Sequence, residues 1–415
     1  MQDKLSIFLC GFRKGMSAQN CLLYLVEKWR MHLDKSRKAG ILLSDLSKAF
    51  DCLWHDLLIA KLDAYGFSYN SLKLILSYLS DRYQRVKINS HFSKWIKILF
   101  GVPQGSILGA PFFNIYLNDL FFFLILDIAN YADDNSPFTF AETIPAVISQ
   151  LETEITTFLQ WVSKNGLKAN PDKFHIILSE SNPEIQIKAD NFLIKNSQSQ
   201  KLLGIKIDHK LTFDPHVSDI CTKVSQKLHA LSRISHFLSF DRRKELMNAF
   251  IMSQFGYCPL VWMFHSRKLN HRINTLHERA LRLVYRDNTS SFDALLEKNG
   301  SFKIHERNIQ TLAIELYKVW YGICPKIMCL VFPLNTNSKY IGNSDFSSRN
   351  MKSVHYGLDS LSHLGPKIWK LVPQEWKGLS LSKFTRRIRN WKPPCPCKLC
   401  KSYVAGVGYI ENISN

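Results

Sequence analysis

Acidic residues are in short supply in this 415-residue chain: 34 Asp and Glu face 54 Lys and Arg, a net charge of +20. Such an imbalance draws in a polyanion, and nucleic acid is a better fit than an anionic membrane surface. Long apolar runs are missing too. The longest, Leu117 to Ile128, is broken by Asn118, Asp119 and Asp127, too short and too polar to span a bilayer. The opening MQDKLSIFLCGFRKG has no positive start, sustained hydrophobic stretch or small-residue cleavage site, so no signal peptide is expected. The 10 cysteines have no extracellular spacing framework, which suits reduced thiols in the cytoplasm or nucleus, and no internal repeat is visible. What is present is 46% hydrophobic residues, ample for the cores of two or three globular domains.

Apolar spacing organises the chain. Leu22, Val26, Trp29 and Leu33 predict an amphipathic helix over 17–36 with Ser17 as cap. Ile41-Leu42-Leu43 then read as a strand that runs into Asp45, and two helices follow, around Leu58 and Leu76. Segments 83–89 and 94–100 are β-like and lead to a Gly101-Val102-Pro103-Gln104-Gly105 loop and a helix expected over about Ile107 to Leu120. Residues 121–140 read as two strands around a tight turn at Tyr131-Ala132-Asp133-Asp134-Asn135, and Val147, Leu151, Ile155, Phe158 and Val162 mark a helix stopped by Asn165-Gly166. Short strands continue to Phe213, and after Pro215 the pattern becomes helical, which puts a domain boundary near 214. The stretch Asn335 to Lys352 reads as a linker.

The carboxylates point to chemistry. Phosphoryl transfer from a nucleoside triphosphate uses two divalent ions about 4 Å apart, held by oxygen ligands. Strand-end loops that bring Asp45 beside Asp133 would form such an anionic cup. On turn chemistry alone, an Asp-Asp pair is more often solvated and structural.

The combination is more specific than its parts. Asp45-Leu46-Ser47-Lys48-Ala49-Phe50-Asp51, Gly101-Val102-Pro103-Gln104-Gly105-Ser106-Ile107-Leu108-Gly109 and Tyr131-Ala132-Asp133-Asp134 resemble motifs A, B and C of reverse transcriptases, in that order. The likeness is to polymerases of LINE-type, non-LTR retrotransposons of the jockey kind, and is strong over residues 8–210. It implies an α+β fold: a right-hand polymerase palm with partial fingers (1–214), a helical thumb-like region (215–334), and a linker with a basic, Cys-containing C-terminal tail (335–415).

The resemblance also implies roles. Asp45, Asp133 and Asp134 match the metal-binding acidic positions for two magnesium ions, with manganese as the alternative. Phe50 matches the aromatic gate whose ring would fill the space of a ribose 2′-OH; the alternative is ordinary core packing. Asp51, pointing the other way on an extended backbone, reads as structural. Gln104 and Gly105 match the pair beneath the incoming nucleotide and template base, against a plain tight turn, and Tyr131 joins them in the substrate-binding set. Here the family pattern Gly-Pro becomes Gly109-Ala110-Pro111, a departure that could shift the helix start. Lys173 looks like the motif D lysine, a general acid or charge partner at the pyrophosphate, against a solvated lysine. Leu203-Gly204 resembles the primer grip, and Arg13 a fingers residue able to reach the triphosphate, against a basic turn facing solvent.

Basic composition continues beyond. From Cys221 to Arg286, 12 Lys and Arg stand against 3 acidic residues, and from Trp376 to Ile410 there are 8 Lys and Arg and no acidic residue. Both suit phosphate contacts, against a generic solvated face. Cys395, Cys397 and Cys400 could begin a zinc site, but no fourth ligand lies nearby in sequence; His363 or Cys329 would have to fold back, so zinc is disfavoured.

The expected activity is RNA-directed DNA polymerisation, with RNA template, DNA primer and dNTPs as partners, no membrane, and no protein partner readable. The chain begins almost inside the first matching segment and therefore looks truncated, without an endonuclease or ribonuclease H constellation. The competing readings are an inactive remnant that only binds nucleic acid, and RNA-directed RNA synthesis, which Phe50 disfavours.

Overall fold

The computed structural model describes residues 4–180, 182, 184–189, 192–335, 346–347, 349–392, 395–404 and 408–411. Helix and sheet combine in two compact units, one of residues 1–21 and 37–198, the other of 22–36 and 199–415. Helix α1 (Ala18–Asp34) is divided between them. Most of the expected linker, 336–345 and 348, lies outside the described residues.

The first unit is built on a four-stranded antiparallel sheet. Its strands are β1 (Lys38–Leu43), β2 (Asp127–Tyr131), β3 (Asp134–Ala141) and β4 (His175–Leu178), in the order β2-β3-β1-β4. Central β1 is almost wholly apolar, and Ile41 and Leu42 are buried. Its pairing with β3 runs from Lys38↔Ala141 to Ile41↔Phe138 and resumes at Ser44↔Asn135, with Pro137, which has no N–H to give, in the gap.

Two helices fix this sheet. Helix α2 (Gly109–Leu117) buries Phe112, Phe113 and Tyr116, and α3 (Ile144–Lys164) buries the stripe Val147, Leu151, Ile155, Phe158 and Val162. Gly40 lets α3 lie close: a Cβ there would be 2.5 Å from Val147 Cγ1 and 2.9 Å from Leu151 Cδ1. The Thr143 hydroxyl caps α3, accepting from Ala146 N, and Asn165-Gly166 ends it with Gly166 at φ +65°.

Two expectations change in detail. The helix after the glycine loop begins at Gly109, so Pro111 falls in its first turn, where a missing N–H costs nothing. It ends at Leu117, and a separate short helix spans Leu120–Phe123. Between them Asn118 is buried and accepts from Ser6 N while donating to Lys4 O, which ties the N-terminal loop to the break. The β-like region 83–97 forms two-residue ladders, Tyr83–Gln84 on Ile96–Lys97 and Lys87–Ile88 on His91–Phe92.

The second unit is largely helical, as the pattern after Pro215 predicts. Helix α4 (Asp214–Ile234) buries Val217, Ile220, Val224, Leu228 and Leu231; with it come α5 (Arg267–Tyr285), α6 (Ile304–Trp320), α7 (Leu361–Leu371) and α8 (Leu381–Arg389). Polar residues of α1 are structural here. Glu27 accepts from Leu361 N and Ser362 N, both at 3.0 Å, and so caps α7. Arg30, 1% exposed, donates to the carbonyls of Leu211, His355 and Asp359, and Asp34 accepts from Lys352 N and Ser353 N. Among the described residues no helix is long and apolar enough to cross a membrane.

Candidate active site

The site lies in the first unit, where β1 runs out and the β2–β3 hairpin turns. Tyr131↔Asp134 is the last pair of the hairpin, so Ala132 and Asp133 form a two-residue turn with Ala132 at φ +58°. An asparagine network holds this turn from below. Buried Asn130 donates from Nδ2 to Ala132 O and to Asn135 Oδ1, both at 2.9 Å, and Asn135 Nδ2 donates to Asp133 O at 3.0 Å. Ser44 bonds Asn135 O through its N–H (3.1 Å) and hydroxyl (2.6 Å), which brings the end of β1 to the hairpin one residue before Asp45. On the other flank Asn170 N donates to Asp45 O.

Asp134 is therefore brought within electrostatic reach of both Asp133 and Asp45. Burial first, then the charges of Asp133 and Asp45, push the Asp134 carboxyl up to about 6. Carboxylate oxygen is the donor that magnesium or manganese takes, and a divalent cation would offset the neighbouring charges that add to burial in raising Asp134, so the chemistry of these residues fits the implied metal. Lys173, largely exposed, puts Nζ 3.0 Å from Asp45 Oδ2.

The glycine loop is mounted on the turn that carries Phe50. Gly101 N donates to Leu53 O and Val102 N to Phe50 O, and a Cβ on Gly101 (φ +84°) would be 2.7 Å from Asp51 Cα. Phe50 stacks on Phe113 at 4.3 Å between centroids and meets Phe12 edge-on at 5.6 Å, with its ring half buried. Gln104 Nε2 donates to Asp51 Oδ1 at 3.0 Å, which assigns Asp51 a positioning contact. Gly105 takes φ +78° with open space where a Cβ would be. Lys48, Asp51, Arg82, Tyr83, Phe100 and Gln104 line a cleft of about 670 Å³ beside this loop. Along the ribbon at its edge Tyr83, Ile88, Phe92 and Trp95 are exposed, and the Arg85 guanidinium lies 3.9 Å from the Phe92 ring centre and 4.5 Å from that of Trp95.

Arg13 Nη1 donates to Ser6 O (2.5 Å) and Leu9 O (3.2 Å), bonds that brace its own loop. Leu203 and Gly204 belong to the second unit, where Tyr257 Oη donates to Leu203 O and a Cβ on Gly204 would be 3.1 Å from the Tyr257 ring. Sequence reasoning assigned no positioning role to Gly11, Ser44, Asn130 or Asn135. The last two flank the Asp-Asp turn, and a pair of amides there is the one signal that could have revealed them.

The cysteines give a second cluster, in the helical unit. Cys395, Cys397 and Cys400 gather with His305, from the first turn of α6, with the four ligand atoms within 4.8 Å of one another. The fourth donor missing from the local sequence comes from 90 residues upstream. Neither His363 nor Cys329 supplies it: Cys329 pairs with Cys324 at 3.9 Å.

Residues 2–207 match the family model described as reverse transcriptase (RNA-dependent DNA polymerase). The chain is similar to the RNA-directed DNA polymerase assigned to transposon BS of Drosophila melanogaster, 26% identical over 66% of this chain and 32% of the relative. It is also similar to the RNA-directed DNA polymerase of the mobile element jockey from the same species, 29% identical over 58% of this chain and 28% of the relative. The chain thus spans about a third of the length of these curated relatives. Among solved structures, apo telomerase from Candida tropicalis aligns with a TM-score of 0.40 and 15% identity over 67% of this chain and 47% of that one.

Proposed function

We propose, on the premise that residues 2–207 make this chain a member of the reverse transcriptase family, in its LINE-type, non-LTR retrotransposon branch, that it is an RNA-directed DNA polymerase extending a primer 3′-OH with dNTPs. Residues 1–214 act as palm and partial fingers, 215–334 as a thumb, and 335–415 as linker and basic tail. The observation that carries the proposal is that the charges of Asp133 and Asp45 both reach the Asp134 carboxyl, which burial first and these charges second push up to about 6. Two magnesium ions held by these carboxylates would supply Lewis-acid activation of the hydroxyl and charge neutralisation on the departing pyrophosphate.

The chain's own groups do the rest. The primer 3′-hydroxyl gives up its proton to solvent, its oxygen forms a bond to the α-phosphorus as the α–β bridging P–O bond breaks, and pyrophosphate leaves. Lys173, released from Asp45, carries a proton or a positive charge to that leaving group. Phe50, fixed between Phe12 and Phe113, stands where a ribose 2′-OH would need room, which favours deoxynucleotides. Gln104, Gly105 and Tyr131 floor the nucleotide and template base, Arg13 reaches the triphosphate when its guanidinium leaves the Ser6 and Leu9 carbonyls, and Leu203-Gly204 steer the primer. The exposed aromatics and arginines of 82–97 offer stacking faces and phosphate contacts to a template strand. RNA template and DNA primer are the partners, and cytoplasm or nucleus is where such a protein would meet them.

Primer extension on an RNA template tests this directly. Metal-dependent dNTP incorporation that Asp133→Ala abolishes is the expected result. Tight template binding with no extension under any divalent ion would instead make the chain a silent remnant, and a preference for NTPs would make it an RNA polymerase.

A further inference from the structure

The cysteine and histidine cluster of the helical unit is not used in the reaction proposed above, and its geometry is that of a closed metal site. His305 Nε2 lies 3.1 Å from Cys397 Sγ and 3.5 Å from Cys395 Sγ, and Cys400 Sγ completes a set within 4.8 Å. A tetrahedral zinc ion with bonds of ~2.3 Å to sulfur and ~2.0 Å to nitrogen sets its ligand atoms roughly 3.5 to 3.8 Å apart. Small adjustments of four side chains would reach that spacing. His305, Cys395 and Cys397 are each less than 10% exposed, so water cannot satisfy them, and thiols are weak hydrogen-bond partners for a buried imidazole. All three cysteines are free thiols.

The surrounding structure delivers the segment to His305 by independent contacts. Gln310, one and a half turns further along α6, donates to Trp391 O at 2.8 Å and Arg389 O at 3.3 Å. Between the cysteines, Lys398 accepts at its carbonyl from Arg267 Nε (2.9 Å) and pairs its ammonium with buried Asp359 (2.9 Å). The three thiols thus sit on a backbone held just before them at Arg389 and Trp391 and between them at Lys398, over His305.

We propose that His305, Cys395, Cys397 and Cys400 form a structural zinc site that clamps the basic C-terminal segment onto the first turn of α6. Three soft thiolates and an imidazole select zinc over magnesium, so this centre is chemically distinct from the aspartate cluster. Four protein ligands leave no open position, which makes the role structural. Loading deprotonates three thiols and closes a loop of about 90 residues, so metal binding and ordering of the segment are one event.

The full-length protein, purified without chelator from zinc-supplemented cells, should carry one zinc per chain by elemental analysis. Cobalt substitution should give the intense thiolate charge-transfer band and visible d–d bands of a tetrahedral site. Cys395→Ser and Cys397→Ser should lower zinc to background, His305→Cys should keep it, and Asp133→Ala should leave it unchanged. Zinc chelation should open cleavage sites beyond Arg389 in limited proteolysis. Protein that comes off the column metal-free and shows no cobalt charge-transfer band would overturn the proposal, as would a disulfide between any two of the three cysteines in unreduced protein, or zinc that survives both serine substitutions.

Discussion

Lys173 Nζ sits 3.0 Å from Asp45 Oδ2, so the ammonium occupies one of the carboxylates to which a catalytic cation would bind. Lys173 is largely exposed and Asp45 partly so, which makes the pair worth little as a stabilising bridge. Its interest is exchange: a divalent ion arriving at Asp45 frees a flexible cation beside the site. Lys173→Met should therefore lower the extension rate at saturating metal by about 10- to 100-fold, the scale of a lost general acid or charge partner, while the metal concentration for half-maximal rate stays the same or falls. A rate within twofold of wild type would return Lys173 to the solvated surface.

Asp134 gives a stability prediction with a definite sign. Its carboxyl titrates at about 6 in the folded chain because burial and two neighbouring carboxylates oppose its charge. Ionising it therefore costs the folded state more than the unfolded one, where it titrates near the ordinary aspartate value of about 4. The penalty is absent below about pH 4, grows as pH rises toward 6, and is complete above that. Metal-free Asp134→Asn should melt a few degrees above wild type at pH 8, on the order of 1 kcal/mol once solvent screening is allowed for, and level with it at pH 4. Magnesium should raise the wild-type melting temperature at pH 8 more than that of the variant. A variant that melts lower than wild type at pH 8 would mean that Asp134 is paired rather than repelled.

Phe50 links packing to selectivity, because the ring that stacks on Phe113 is also only half buried. Phe50→Ala should raise incorporation of NTPs relative to dNTPs by about 10- to 100-fold in kcat/KM, the range for opening or closing a pocket by a small group. Phe50→Leu should fall between. Equal selectivity in all three proteins would reduce Phe50 to a core residue.

What the sequence made legible was local. Asp45 follows an apolar strand, Asp133 and Asp134 sit in a turn between two strands, and the buried stripe from Val147 to Val162 has helical spacing ended by Asn-Gly. What it hid were partners far along the chain. Glu27, Arg30 and Asp34 look like the solvated face of an amphipathic helix, yet they bind backbone groups between Leu211 and Ser362. His305 is one histidine among 14 and gains meaning only when three cysteines fold onto it. The helix expected to run to Leu120 breaks at Asn118 because that amide serves the N-terminal loop, a demand that no helical periodicity records.

Gly11 tests whether the aspartate turn is held from outside the sheet. Leu9 bridges Asn130, Cys10 N donates to Asn130 O at 3.2 Å, and Asn114 Nδ2 donates to Gly11 O at 2.9 Å, so the loop lies fixed against the hairpin. A Cβ on Gly11 would be 2.4 Å from Ala132 N and 2.9 Å from Ala132 Cα. Those are backbone atoms, of a residue already at φ +58°, and they cannot rotate away. Either the loop or the turn must shift, and a shift of the turn carries Asp133 with it. Gly11→Ala should cost about 1 to 3 kcal/mol of stability, as overpacking does, and about 100-fold in extension rate, the effect of misplacing a reacting group by an ångström. Gly15→Ala is the control: at φ +80° with nothing within 4 Å of a Cβ, it bears backbone strain alone and should leave the rate nearly unchanged. If Gly11→Ala extends primers as fast as the Gly15 variant, the hairpin is positioned by the asparagine network alone.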